Sequence, residues 1–134
     1  MSKILGLDVG AKKIGVAIGE TTTNMAFPRP AWLVETWTEV WPLLKRLLDE
    51  EKVERIVVGW PLNANGSAGP QTEEVAGFIR QLEEQTSVPI IKRDERLTSV
   101  AVQHEQAGQK LSRGQEDSLA AQLLVETYLQ EHHG

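Results

Sequence analysis

The sequence lacks cysteine: none of its 134 residues can form a disulfide bond or a thiolate metal site. It also lacks any apolar run near the roughly 20 residues that a membrane-spanning helix needs. The first residues, MSKILGL, carry one lysine and a short apolar run that Asp8 interrupts, which is not the pattern of a secretory signal. From these absences we expect a soluble, cytoplasmic protein that has no membrane partner.

An excess of positive charge is missing as well. The formal net charge is −5 and the isoelectric point is about 5.2, whereas domains that bind nucleic acid through bulk charge are usually basic. Binding of nucleic acid would therefore require local basic patches or positive charge borrowed from metal ions. The length of 134 residues suits one domain, which we place at residues 1–134.

Apolar periodicity predicts secondary-structure elements in the order βββαβαβαα. The predicted strands cover residues 3–9, 13–19, 26–34, 55–59 and 88–92, and the predicted helices cover residues 36–51, 70–86, 97–107 and 115–131. Three successive strands with short turns indicate an antiparallel meander, while strands that alternate with helices indicate parallel pairing. We expect an α/β fold, in which a mixed sheet has helices on both faces.

One carboxylate interrupts the first apolar strand. Asp8 stands in ILGLDVG, where an unpaired charge at the centre of a sheet would be costly. Two interpretations remain open at this point. Asp8 is either a turn residue that caps the backbone near Gly10, or a catalytic or metal-binding carboxylate.

A second acidic pair follows the strand VPII directly, in the stretch KRDERLTS. Ligands of open α/β sheets gather beyond the carboxyl ends of parallel strands, where Asp94 and Glu95 stand. Strand side chains alternate, so only one of the two can share a site with Asp8. The alternative is a solvated loop in which Arg93 and Arg96 pair with these acids.

A third carboxylate opens the last predicted helix, EDSLAAQLLVETYL. Helical spacing places Asp117 on the apolar stripe with the paired alanines 120–121, Leu124 and Tyr128. An acid in the first turn is favoured by the helix dipole by about 0.3–1 kcal/mol, but this does not explain why it faces the core. Three carboxylates that meet at a sheet edge cannot all ionise without cations, and all-oxygen ligands suit Mg²⁺ or Mn²⁺.

The chain resembles the YqgF/RuvX family in four stretches, which are GLDVGAKKIGVA, VVGWPLNANGSAGPQTEEV, DERLTSVA and EDSLAAQLLVETYL. Members of that family are described as Holliday junction resolvases or as nucleases that process precursor 16S ribosomal RNA. The resemblance implies an RNase H-like fold, a five-stranded mixed sheet flanked by helices. It also implies that Asp8, Glu95 and Asp117 are the catalytic and metal-binding residues, which selects Glu95 over Asp94. At Trp60 the sequence departs from GLPLNMDGS, the motif that is usual in this family.

The resemblance implies a two-metal-ion endonuclease that uses Mg²⁺ or Mn²⁺ to hydrolyse phosphodiester bonds. Its partner would be structured nucleic acid, either branched DNA or the 5′ end of precursor 16S ribosomal RNA, and the protein would act as a monomer or a homodimer. Basic side chains near the acidic segments and the loop before residue 70 would contact phosphates. These expected substrate contacts are Lys12, Lys13, Asn63, Gly66, Ser67, Arg93, Arg96, Thr98 and Arg113.

Two other functions are compatible with parts of the sequence. The stretch DVGAKKIG is similar to the phosphate loop of actin-like ATPases and sugar kinases, although those proteins clamp nucleotide between two such domains. The second alternative is a non-catalytic nucleic-acid-binding or ribosome-assembly module. The presence of all three acids argues against a loss of catalysis.

Overall fold

A computed structural model describes residues 2–95 and 116–132 of the chain. The strands are β1 (Lys3–Val9), β2 (Lys13–Glu20), β3 (Met25–Leu33), β4 (Val53–Trp60) and β5 (Ile90–Asp94). The helices are α1 (Val40–Glu51), α2 (Pro70–Gln85) and α3 (Leu119–His132), and short 3-10 turns at Trp37–Glu39 and Glu116–Ser118 precede α1 and α3. The predicted helix over 97–107 lies outside the described residues.

The strands form one sheet in the order β3-β2-β1-β4-β5. The pairs β1–β2 and β2–β3 are antiparallel, whereas β4 runs parallel to both β1 and β5. The predicted five-stranded mixed sheet is therefore confirmed. Strand β1, which carries Asp8, lies at its centre.

Three elements begin later than their sequence patterns predict, and one of them is α3, which begins at Leu119 rather than at residue 115. Helix α1 begins at Val40 rather than at residue 36, so that Pro42 falls in its first turn, where a missing N–H leaves no helical bond unmade. Strand β5 covers Ile90–Asp94 rather than 88–92. The shift brings Asp94 into the strand and places Glu95 directly after its end.

The larger core lies on the sheet face that α1 and α2 cover. Leu7 and Val58 of the sheet pack there with Leu44 of α1 and Phe78 of α2, and all four are fully buried. The rings of Trp41 and Phe78 lie 5.3 Å apart between their centroids. Burial of such side chains supplies the main stabilisation of the fold, at roughly 1.5–3 kcal/mol for each.

Helix α3 covers the opposite face and lies unusually close to the sheet. Ala17 and Ala121 are fully buried in this second core. At Gly6 and Gly19, an added β-carbon would overlap the side chain of Val125. Small residues on this face of β1 and β2 therefore let α3 approach the strands, which brings the start of α3 to the carboxyl end of β1.

Strand β3 forms one edge of the sheet. The backbone carbonyl of Ala26 accepts a hydrogen bond from the side-chain amide of Gln122 in α3, at 3.0 Å. Pro28, two residues further along β3, has no N–H to donate. None of the helices within the described ranges is both long and apolar enough to cross a membrane.

Candidate active site

Asp8 lies near the carboxyl end of β1, opposite Gly15 of β2 in the antiparallel register. A β-carbon at Gly15 would lie 3.3 Å from the β-carbon of Asp8 and 2.8 Å from the backbone carbonyl oxygen of Asp117. Gly15 therefore leaves space in which the end of β1 and the turn before α3 come together. The side chain of Asp8 is half-buried at this junction.

Glu95 reaches the same place from β5. Gly59 pairs with Arg93 and Trp60 pairs with Asp94 in the parallel β4–β5 register, so alternation along the chain returns Glu95 to the face of Gly59. A β-carbon at Gly59 would overlap the carboxyl group of Glu95, which lies directly over this glycine. The structure thus brings Glu95 onto the sheet face that also carries Asp8.

The carboxyl groups of Glu95 and Asp8 share a hydrogen bond, and the pKa of Glu95 is raised to about 8. Burial is the main cause of this raised pKa, and the hydrogen bond to Asp8 and the negative charges of Asp8 and Asp94 add to it. Glu95 therefore carries a proton at neutral pH when no cation is bound, and this proton bridges the two carboxyl groups. A pair of carboxyl groups that shares a proton fits a divalent cation, because a cation would replace the proton and allow both groups to ionise.

Asp117 does not face the core as its helical spacing predicts. Helix α3 begins only at Leu119, so Asp117 lies in the preceding 3-10 turn, off the apolar stripe of the helix. Its side chain is 44% exposed, and its carboxylate lies 3.1 Å from the ammonium group of Lys13. Among residues 2–95 and 116–132, no three acidic or histidine side chains are gathered into a ready metal centre. The structure brings together Asp8 and Glu95, while Asp117 stays paired with Lys13.

Ser118 is a site residue that the sequence did not indicate. It is fully buried, and its hydroxyl oxygen accepts a hydrogen bond of 2.8 Å from the backbone N–H of Val16. The β2–β3 register shifts between Ile14 and Val16, and at this irregularity the N–H bonds Ser118 rather than continuing the ladder. The contact fixes the turn that carries Asp117, but a register shift of this kind has no visible pattern in the sequence.

A cavity of about 330 Å³ opens beside the carboxyl pair. Its walls come from β1, the turn after β1, the residues that follow β4 and β5, and α2; they are Asp8, Val9, Gly10, Ala11, Pro61, Gln71, Glu74, Val75 and Glu95. The indole N–H of Trp37 donates to the carbonyl oxygen of Gly10 at 3.2 Å, which holds the turn after β1 in place. The cavity gives a ligand access to Asp8 and Glu95.

The basic residues that were predicted to contact phosphate differ in their exposure and in their partners. Lys12 is exposed at the turn after β1, 3.5 Å from Glu35. Arg93 is buried and donates to Thr127 at 3.0 Å and to Glu131 at 2.8 Å. These bonds tether β5 to α3, so we remove Arg93 from the set of substrate contacts. Arg96, Thr98 and Arg113 lie outside the described residues.

The loop before α2 is closed by its own hydrogen bonds. The N–H of Asn63 donates to the carbonyl of Ser67 at 2.9 Å, and that of Gly66 donates to the carbonyl of Asn63 at 2.8 Å. The N–H of Ser67 donates to the side chain of Asn65 at 3.0 Å, and Gly66 has a φ of 88°. Because these three amides have partners inside the loop, they do not form the phosphate cradle that the sequence predicts.

The family model for RuvX, described as Holliday junction resolvase, matches residues 2–131. The chain belongs to the RuvX family. Among its curated relatives, a protein of Brucella ovis named "Putative pre-16S rRNA nuclease" is 35% identical over 134 residues, which is 97% of this chain and 83% of the relative. A protein of the same name from Salmonella arizonae is 36% identical over 132 residues, covering 96% of both chains.

Solved structures show that this RuvX-family chain shares its fold with resolvases. The RuvC protein of T. thermophilus, solved in complex with a Holliday junction substrate, matches with a TM-score of 0.64 and 12% identity, covering 99% of this chain and 98% of the other. The fowlpox virus Holliday junction resolvase matches with a TM-score of 0.58 and 17% identity, covering 96% and 99% of the two chains. At these identities the likeness is one of fold, and it confirms the predicted RNase H-like architecture.

Proposed function

We propose that this protein is a metal-dependent endonuclease that hydrolyses phosphodiester bonds in structured nucleic acid. The observation that carries the proposal is the hydrogen-bonded carboxyl pair of Asp8 and Glu95 beside an open cavity. Membership of the RuvX family supports the same activity. The substrate classes are branched DNA, from the description of the family, and precursor 16S ribosomal RNA, from the names of the relatives.

Asp8 and Glu95 would hold the cations directly, and Asp117 would join them once Lys13 moves away from it. Oxygen ligands of this kind suit Mg²⁺ or Mn²⁺. Two such ions, held by these carboxylates, would supply the positive charge needed to activate a water molecule and to stabilise the leaving oxygen of the ester.

The residues of the chain itself have separate tasks in this proposal. Glu95 must lose its proton before it can act as a ligand, so its protonation state controls whether the site can be loaded. Lys13 neutralises Asp117 in the empty site, at 3.1 Å, and its ammonium group becomes available to a substrate phosphate when Asp117 turns to a cation. Lys12, exposed at the same turn, provides a second positive charge at the rim.

Charge also explains why this acidic protein would need cations in order to bind its substrate. Three ionised carboxylates repel a phosphate backbone, and the chain has no overall positive charge to offset them. Two divalent ions outweigh the three carboxylates and leave the loaded site with a small net positive charge. Substrate affinity should therefore depend on the divalent cation as strongly as the reaction does.

The test is a cleavage assay on a four-way DNA junction and on a precursor 16S ribosomal RNA fragment, each with Mg²⁺ or Mn²⁺. We expect Asp8→Asn and Glu95→Gln to reduce cleavage by about 100-fold or more, the loss typical of removing a charge-stabilising group. Asp49→Asn is the matched control, because Asp49 is 85% exposed and pairs with the neighbouring Lys52. Equal cleavage by wild type and Asp8→Asn would indicate a contaminating nuclease, and cleavage of neither substrate would favour a binding module; either result overturns the proposal.

A further inference from the structure

Trp60 ends strand β4, and its ring is covered by a cation. The ammonium group of Lys92 lies 4.6 Å from the centroid of the Trp60 ring. This distance is within the range of a cation–π interaction, which is worth about 0.5–1 kcal/mol at an exposed site. Trp60 is half-buried, whereas Lys92 is exposed. The indole thus packs against the core, and the exposed Lys92 side chain lies over its ring.

A cavity of about 200 Å³ lies against this ring, between α2 and β5. Apolar side chains from both elements form its floor, which includes Ile79 and Ile90, and Arg80 joins Lys92 at its rim. In the described part of the chain, neither Lys92 nor Arg80 takes part in a salt bridge. Glu83 is the acidic group at the cavity. The rim therefore offers two cationic side chains above an aromatic and apolar floor.

This cavity adjoins the candidate active site. Trp60 is followed by Pro61, which lines the cavity that contains Asp8 and Glu95. In the β4–β5 register Trp60 pairs with Asp94, the residue before Glu95. The Trp60 side chain packs on the sheet face that α1 and α2 cover, whereas Glu95 lies on the opposite face, so the two side chains approach each other only at the carboxyl edge of the sheet. A nucleic-acid strand that crosses this edge could place a phosphate at Glu95 and a flanking base against the indole.

We propose that Trp60 and Lys92 form a stacking site for one unpaired nucleobase beside the cleaved phosphate. The base would replace Lys92 on the face of the indole, and Lys92 would then contact a flanking phosphate together with Arg80. Stacking on an aromatic side chain accepts any base, because every base has a π-face. This site deepens the proposed nuclease function and depends on it for its biological use. The chemistry recognised is an unpaired base, whether it belongs to DNA or to RNA.

The experiment measures binding to the wild-type protein at low salt with Ca²⁺, which takes the same kind of oxygen ligands as Mg²⁺ and so neutralises the carboxylates; gel electrophoresis checks that the probes stay intact. Its probes are a single-stranded DNA of ten nucleotides, an RNA of the same sequence, and the same DNA with its bases removed. We expect both base-carrying strands to quench tryptophan fluorescence and to bind more tightly than the abasic strand. Trp60→Leu should weaken their binding about tenfold and remove most of the quenching. Trp60→Phe, which keeps an aromatic face, should bind within about threefold of wild type.

Lys92→Met tests whether Lys92 contacts a flanking phosphate, and Lys52→Met is its matched control. Lys52 is also an exposed lysine, but it lies at the opposite end of β4 and pairs with Asp49. Loss of one phosphate contact should weaken binding of all three probes alike and reduce the salt dependence of binding by about one unit of slope. Circular dichroism and the melting temperature of each variant show whether it has folded.

Several outcomes would overturn the stacking site. These are equal affinity of wild type and folded Trp60→Leu, equal affinity of abasic and base-carrying DNA, or no binding by the wild type. Failure of the nuclease proposal would look different, because base-dependent binding through Trp60 would persist without any cleavage. Conversely, cleavage that is lost in Asp8→Asn but unchanged in Trp60→Leu would support the nuclease and reject the stacking site.

Discussion

The carboxyl group of Glu95 lies directly over Gly59, so closely that any β-carbon at position 59 would overlap it. Gly59 lies on β4, the strand next to β5, and it has no side chain on the sheet face that α3 covers. The absence of a side chain at this position is what allows Glu95 to reach back over β4 and meet Asp8. Gly59 thus determines the position of the Glu95 carboxyl group.

Gly59→Ala should therefore displace Glu95 and lower the cleavage rate by about 10- to 100-fold, because a shift of about 1 Å in an active site can have this effect. The measurement is the single-turnover rate, with the melting temperature as a check on folding. Gly77→Ala is the control. A β-carbon at Gly77, inside α2, would meet nothing closer than 3.7 Å, and this variant should be more stable by about 0.5–1 kcal/mol with unchanged activity. Full activity of Gly59→Ala would contradict the proposed role of Glu95.

Glu95→Gln should stabilise the cation-free protein. A carboxyl group whose pKa is raised from 4.5 to about 8 on folding gives its full stability below pH 4.5 and loses it as the pH rises to about 8. Glutamine removes this loss and still donates a hydrogen bond to Asp8. We expect the variant to be as stable as wild type at pH 4 and more stable by about 1–3 kcal/mol at pH 8.5, a range reduced because the side chain is partly exposed. Urea unfolding in EDTA at both pH values measures this, and parallel pH profiles would count against a buried neutral acid.

Mn²⁺ should stabilise the wild-type protein and release a proton as it binds. At a cation concentration one hundred times the dissociation constant, the expected gain is about 2.7 kcal/mol. The gain should shrink at low pH, where the proton on Glu95 competes with the cation. Asp8→Asn should lose most of the stabilisation, and the surface variant Asp49→Asn should keep it. Thermal unfolding with and without EDTA checks the prediction, which fails if Asp8→Asn and wild type respond alike.

The ion pairs at the opposite end of β1 should make stability depend on acid pH. Glu51 accepts from Lys3 and from Arg29, both at 2.9 Å, and these bonds lower its pKa. A lowered pKa gives stability that is present above the ordinary value of 4.5 and is lost as the pH falls through the folded value. Glu51→Gln should destabilise the protein by about 1 kcal/mol at pH 7 and by much less at pH 3. The same difference at both pH values in urea unfolding would show that packing, not charge, is responsible.

The sheet could be predicted from the sequence because its strands are apolar runs separated by clear turns. Asp8 could be recognised because a charge interrupts such a run. The alternation of strand side chains showed that Asp94 and Glu95 must diverge, and only the resemblance to a family selected Glu95. The orientation of the Asp117 side chain was harder to predict. A helical wheel assumes that the residue lies within the helix, whereas α3 begins at Leu119, two residues after Asp117. The roles of Ser118 and Arg93 depend on contacts between distant segments of the chain, and no local sequence pattern indicates such contacts.

The polar groups along the outer side of β3 bear on how copies of this protein can associate. An incoming strand would find the Ala26 carbonyl already bonded to Gln122, and no donor at Pro28. Exposed edge strands often nucleate aggregation, but β3 is a poor template for it because these two backbone positions offer no free partner. A twofold assembly, of the kind that symmetric cutting of a DNA junction demands, would have to be built from side-chain surfaces elsewhere on the molecule rather than from a continuous intermolecular sheet through β3.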